Sequence, residues 1–153
     1  KVNFKNIYKS PSLESISLTF NISEKTKIIL GSSALFLLTG KKPVLISNEL
    51  SKKNKKKEFI GCTVKLRKKE AFSFLLYFIL VVLPNNELLQ QTINKLKING
   101  SSISFVVQDL LIFPELSKEV NRFYDLSPIQ ITLNFNKSSF IKSFLSLINL
   151  KVA

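Results

Sequence analysis

Histidine, tryptophan and methionine are missing from the 153-residue chain, and cysteine occurs once, at Cys62. Without histidine, neither a Ser-His-Asp nor a Cys-His nucleophile system can be assembled, and the commonest metal ligand is lost as well. A single cysteine permits neither an intrachain disulfide nor a cysteine-based zinc site. Acidic residues are scarce, and no two of Glu24, Glu49, Glu58, Glu70, Asp109 and Glu115 stand at a spacing that suggests paired acid–base chemistry. Glu115 is expected to cap or orient a turn. A span of the bilayer is lacking too: the longest apolar run, Ala71–Leu83, has 13 residues where about 20 are needed. Lys68-Lys69-Glu70 closes it in front and Pro84-Asn85-Asn86 behind, which predicts a buried core helix. The inventory therefore predicts no enzyme, no catalytic residues, no metal, no cofactor and no small-molecule substrate.

What the chain has in quantity is positive charge: 23 Lys+Arg against 10 Asp+Glu, a net of +13. Hydrophobic residues make up 45%, enough for a real core and too many for wholesale disorder. The charge is not spread evenly. Lys41, Lys42, Lys52, Lys53, Lys55, Lys56, Lys57, Lys65, Arg67, Lys68 and Lys69 face only Glu49 and Glu58 within the same stretch, a local excess of nine. Charge this concentrated is an electrostatic footprint, and its usual polyanion is nucleic acid, although a solvated loop kept for solubility has the same composition. Lysine, phenylalanine, isoleucine and asparagine together supply 63 residues, with only two arginines. That skew is expected of an AT-rich genome, of which organelles are one common case.

Strict alternation over residues 15–22 predicts a half-buried strand, with Ile16, Leu18, Phe20 and Ile22 inward and Ser15, Ser17, Thr19 and Asn21 outward. Ser23 is placed to cap a helix ending at Gly40, with Glu24 in its first turn. A short strand at 44–47 leads to a highly charged loop. The strand 59–67 follows, with Ile60, Cys62, Val64 and Leu66 inward and Gly61, Thr63, Lys65 and Arg67 outward. This parity makes Cys62 an inert packing residue and turns Lys65 away from the burial that a catalytic lysine needs. The helix 70–83 is apolar nearly all round and is expected to lie deep. Residues 85–101 suggest a short helix and a loop ending at Asn99-Gly100. Strands are predicted at 103–111 and 129–135, the second with Gln130, Thr132 and Asn134 outward, and a last helix at 138–150. The expected fold is α+β: one domain over 1–153, a single antiparallel or mixed sheet of four or five strands, and helices on one face. The other face is polar and suits RNA, whose shape and 2′-hydroxyls are read by many short polar groups with phosphate partners nearby; it is equally the pattern of a solvated sheet.

Three stretches then resemble landmarks of the family of large-subunit ribosomal protein five, in the right order and at nearly the right spacing. They are Thr39-Gly40-Lys41-Lys42-Pro43-Val44, Ile60-Gly61-Cys62-Thr63-Val64-Lys65-Leu66-Arg67 and Leu111-Ile112-Phe113-Pro114-Glu115. The stretch from Tyr8 to Ile22 is similar to that family's first core strand. The resemblance implies a structural component of the central protuberance of the large ribosomal subunit, binding 5S or large-subunit rRNA through the sheet face. Carried over by position, the rRNA-binding residues are Ser17, Thr19, Asn21, Lys41, Lys42, Thr63, Lys65 and Arg67. It also implies that a basic loop, residues 49–58, reaches P-site tRNA and meets small-subunit ribosomal protein thirteen across the subunit interface, with neighbouring large-subunit proteins around it. That loop carries Lys52, Lys53, Asn54, Lys55, Lys56 and Lys57. The chain departs from the family where Thr19, Lys41 and Lys65 replace the usual Asn, Gln and Thr, in lacking a glycine-rich turn after the first strand, and in a shorter basic loop. The family's Asp-Phe-Arg-Gly signature after the long helix is replaced by polar sequence. Such divergence points to a mitochondrial ribosome, with a plastid as second choice. Two other classes stay in view: a non-ribosomal RNA-binding module, and a membrane-surface module using the lysine loop and the apolar helix. Enclosure of helix 71–83 on all sides would remove the second.

Overall fold

The computed structural model describes residues 13–48, 58–82, 96–137 and 141. Six antiparallel strands form one sheet: β1 (Leu13–Asn21), β2 (Val44–Asn48), β3 (Glu58–Arg67), β4 (Lys97–Asn99), β5 (Ser102–Val107) and β6 (Ile129–Phe135). Their order across the sheet is β2-β3-β1-β6-β5-β4. The fold class is the α+β arrangement expected, with six strands rather than four or five. The added strand, β4, pairs Asn99 with Ser102 across a two-residue turn, Gly100-Ser101. A strand of three residues is too short to show alternation, so the segment reads as loop.

The alternating apolar positions meet in register on one face. Ile16 lies between Leu66 and Leu133, Leu18 between Val64 and Ile131, and Phe20 between Cys62 and Ile129. All nine are buried, as are Ile103, Phe105 and Val107 on β5. Burying each such side chain stabilises the fold by about 1.5–3 kcal/mol, so this face is where most of the folding free energy is gained.

Helix α1 (Lys25–Thr39) packs over β3 through Ile28, Gly31, Ala34 and Leu35. It ends where Gly40, at φ 69°, donates its N–H to the Phe36 carbonyl at 2.8 Å. Its N-cap is Glu24, not Ser23, and the cap makes no side-chain hydrogen bond. The helix begins one residue too late for the Ser23 hydroxyl to serve it, and the Glu24 carbonyl accepts from the Ile28 N–H instead. Helix α2 (Lys69–Tyr77) continues as a π-helical stretch, Phe78–Val82, and packs on β1 and β3. Phe78 anchors it, with ring centroids 5.6 Å from Phe105 and 6.4 Å from Phe113.

After β5 the chain leaves the sheet sooner than the 103–111 pattern suggests. Asp109 accepts the Leu111 N–H at 3.0 Å and opens a 3-10 turn, Leu110–Ile112. Two short helices follow, α3 (Pro114–Ser117) and α4 (Val120–Phe123). Glu115 stands in the first turn of α3, where its carboxylate accepts the Tyr77 hydroxyl and ties α3 to α2. Burial, and then that carboxylate, push the Tyr77 phenol above its ordinary range. Of the helix expected at 138–150, only Ile141 is among the described residues, and it is buried.

Two expectations about burial fail. Ile60 is 43% exposed, because the β2–β3 pairing shifts register between Ile46 and Ser47 and breaks the inward alternation there. Helix α2 is covered on one side only: Ala71, Phe74, Leu75, Phe78 and Val82 are buried, while Phe72 (57%), Leu76 and Leu80 (69%) are exposed. An all-apolar helix records no sidedness in its composition, so periodicity gave no warning.

Candidate nucleic-acid interface

Among the described residues no helix packs on the opposite sheet face, and the register shows which side chains share it. One row across the sheet is Lys65, Ser17, Thr132, Ser104 and Lys97, running from β3 through β1, β6 and β5 to β4. Beside it on one side runs Arg67, Ser15, Asn134, Ser102 and Asn99, and on the other Thr63, Thr19, Gln130 and Val106. The sequence-predicted Ser17, Thr19, Thr63, Lys65 and Arg67 are therefore brought together on one surface. Asn21 lies at its far margin opposite Gly61, and it is exposed. The sequence reading missed the β5 and β4 contributions, Ser102, Ser104, Lys97 and Asn99. Gly-Ser is a two-residue hairpin signal, and Gly100-Ser101, with Gly100 at φ 60°, is the turn of this hairpin.

Part of this surface is already satisfied internally. The Thr63 hydroxyl donates to the Leu18 carbonyl at 3.1 Å and stands 2.9 Å from the Thr19 hydroxyl. This hydroxyl pair ties β1 to β3 across the polar face. Asn134 donates to Ser15 at 3.0 Å, and Ser15 is buried although its register puts it on this face.

The cations divide in a way the linear sequence conceals. Residues 49–57 join the ends of β2 and β3 at Asn48 and Glu58, whereas Lys41 and Lys42 precede β2 and Lys68 and Lys69 follow β3. β3 has ten residues, roughly 30 Å of strand, so the hairpin sends its two sets of cations to opposite ends. One set is Lys41, Lys42, Lys65, Arg67, Lys68 and Lys69; the other is the loop with Lys52, Lys53, Lys55, Lys56 and Lys57, which lie with Asn54 outside the described residues. Within the first set, Lys41 Nζ donates to the Lys65 carbonyl at 3.1 Å and lies 3.4 Å from the Glu70 carboxylate. Among the described residues no carboxylate pairs with Lys42, Lys65, Arg67, Lys68 or Lys69.

Lys68 has φ 54° and ψ −121°, a backbone conformation suited to glycine. Holding a side chain there costs about 1–3 kcal/mol, and glycine would return about 0.5–1 kcal/mol of that through its floppier unfolded state. Lys68→Gly is therefore expected to stabilise the protein by about 1 kcal/mol. A urea titration checks this: the midpoint should rise with an unchanged slope, and a lower midpoint would refute the strain.

Cys62 is buried beneath α1, and burial pushes its thiol up, consistent with an inert packing residue. Among the described residues no group of three or more Cys, Asp or Glu side chains could hold a metal ion, and no helix is long and apolar enough to cross a membrane.

These features define a basic α+β protein in which, among the described residues, one polar sheet face carries no helix. No protein-family model matches the chain. It is similar to large ribosomal subunit protein uL5 of Thermosipho africanus, 31% identical over 141 residues, or 84% of this chain and 76% of the relative. It is similar to the same protein of Clostridium kluyveri, 30% identical over 123 residues, or 76% of this chain and 68% of the relative. A mitochondrial relative, large ribosomal subunit protein uL5m of Reclinomonas americana, is 30% identical over 134 residues, or 80% of this chain and 71% of the relative. The chain belongs to the uL5 family of large ribosomal subunit proteins. All three relatives are named as proteins of the large ribosomal subunit.

Proposed function

We propose that this protein, acting as one module over residues 1–153, holds 5S or large-subunit rRNA against its bare sheet face and touches P-site tRNA through the loop 49–58. The observation that carries this reading is the division of charge: of the basic stretch 41–69, six cations stand toward one end of β3, and five more belong to a loop rooted at the other end. Two separate basic regions suit two separate RNA contacts. On the sheet side, Ser17, Thr19, Asn21, Thr63, Lys65 and Arg67 supply hydrogen bonds and phosphate contacts, with Lys41 and Lys42 at the margin. Phosphate contacts position a protein on RNA without reading its sequence, and lysine at 41 and 65 serves that role. On the loop side a flexible point charge suits a partner that moves. The same loop would meet small-subunit ribosomal protein thirteen, with other large-subunit proteins alongside.

The mitochondrial ribosome is the proposed location, supported by the divergence from the family pattern, the AT-rich composition and the similarity to uL5m of Reclinomonas americana. The membrane-surface reading retains one observation, the exposed Phe72, Leu76 and Leu80, but the family assignment favours the ribosome. Crosslinking in cell lysate, followed by sequencing of the bound RNA, tests the proposal. Large-subunit or 5S rRNA is the expected yield. RNA no higher than background would sink it.

A further inference from the structure

We propose that β2, at the margin of the sheet, is a docking edge for another protein, taking an extended segment with acidic flanks as a further strand. β2 stands last on its side in the order β2-β3-β1-β6-β5-β4, so one of its edges pairs with β3, and none of the described residues forms a strand along the other. Successive residues of a strand direct their N–H and C=O groups to opposite edges, so an unpaired edge offers a row of donors and acceptors to any chain lying along it. The two edges of this sheet are built differently. β4 is three residues long and carries Lys97, both of which are means of blunting an edge. β2 has five residues, Val-Leu-Ile-Ser-Asn, with neither charge nor proline among them. The register shift opposite it leaves β2 itself regular. Ile46 and Ser47 are consecutive while their partners Gly61 and Phe59 are not, so the extra residue, Ile60, belongs to β3. Val44 is 67% exposed and Leu45 42%, and neighbours along a strand point to opposite faces, so an incoming strand covers apolar surface on both.

Charge selects the occupant. Lys41 and Lys42 precede the strand, and Lys42 has no carboxylate partner among the described residues. After the strand, Glu49 is outnumbered in sequence by Lys52, Lys53, Lys55, Lys56 and Lys57. Acidic residues at both ends of an incoming segment are therefore attracted, and basic ones repelled. The same charges oppose a second copy of this chain. Antiparallel pairing of two β2 strands about Ile46 directs the lysines before the strand in one copy towards those after it in the other, and parallel pairing sets like on like. RNA fits the edge poorly as well: its phosphates accept from N–H groups but donate nothing to the carbonyls that alternate with them.

The test adds synthetic peptides to the full chain and follows affinity by calorimetry and the β2 amides by hydrogen exchange. The probe is about five alternating valines and threonines with glutamates at each end. The same peptide with lysines at its ends, and one with alternate amide nitrogens methylated, should each bind at least roughly tenfold more weakly. Binding of the first should slow the exchange of the outward amides of β2. Leu45→Pro and Ile46→Pro are the variants. Adjacent N–H groups point to opposite edges, so one proline interrupts the ladder with β3 and lowers the melting temperature, while the other removes only an outward donor. The variant that melts like the wild type should bind the glutamate-ended peptide roughly tenfold more weakly. No binding of that peptide, equal binding of the methylated one, or exchange protection confined to other strands overturns the proposal. A dimer of the chain in sedimentation that the outward proline dissolves would also overturn it, by making the occupant a second copy. So would protection of the β2 amides by an RNA oligonucleotide and not by the peptide.

Discussion

Serine at positions 52, 53, 55, 56 and 57 will flatten the salt dependence of tRNA binding, lowering the slope of log K against log salt by about 4. The reasoning is stoichiometric. Five lysines, each neutralising one phosphate, release five sets of counterions, and each release contributes about 0.7–0.9 to the slope. The wild-type protein should accordingly lose roughly a hundredfold or more in affinity between 50 and 200 mM salt, and the variant much less. The fold should not change, because lysine is among the residues least often buried in a core, and exchange of five lysines for serine removes no apolar side chain. Circular dichroism and a melting curve accompany the titration. An unfolded variant would show that the loop contributes to stability, and an unchanged slope in a folded one would remove tRNA from its partners. Binding of rRNA to the sheet face should be retained, since the cations there stand at the other end of β3.

Alanine at Gly61 is expected to cost about 3–5 kcal/mol, a fall of roughly 10 °C in melting temperature. The cause is local. A Cβ at Gly61 would sit 2.1 Å from the carbonyl oxygen of Phe20, a backbone atom that cannot turn aside. Gly61 pairs with Asn21 on β1 and Ile46 on β2, at the place where the β2–β3 register shifts. Relief of the clash must therefore separate strands, and Phe20 and Cys62 behind them lose their packing. Gly31→Ala provides the control. Its Cβ would meet the Ile22 Cδ1 at 2.6 Å, the far end of a flexible side chain, and the Cys62 Sγ at 3.2 Å. Alanine is also the better helix former by about 0.8–1 kcal/mol, which offsets much of that crowding. Thermal melts of the two variants should differ clearly in the stated order, and a Gly61→Ala protein as stable as the wild type would contradict the close approach.

Strands β1, β3 and β6 were legible in the sequence because each is long, half-buried and strictly alternating, and their inward residues became the middle of the core. β4 was not, because three residues carry no period. Helix α2 was legible as an element but not in its placement: an apolar surface on every side cannot say which side the sheet will take, and Phe72 and Leu80 stay exposed. The candidate site followed the same rule. Parity alone put Ser17, Thr19, Thr63, Lys65 and Arg67 on one face, since a strand has only two. The engagement of Thr63 with Leu18, and of Lys41 with Glu70, depends on register between segments distant in the chain, which composition does not contain. The division of charge is the largest such gap. Residues 41–69 are one basic stretch in sequence, and only the reversal at the β2–β3 connection turns them into two.

That division is tested most directly by crosslinking from both sides within intact ribosomes. A photo-reactive side chain placed at Asn54 in the loop, and in a second preparation at Thr132 on the sheet face, would each be illuminated and the attached RNA sequenced. The expected result is tRNA from position 54 and 5S or large-subunit rRNA from position 132. One and the same RNA segment from both positions, or no RNA from Thr132, would contradict it.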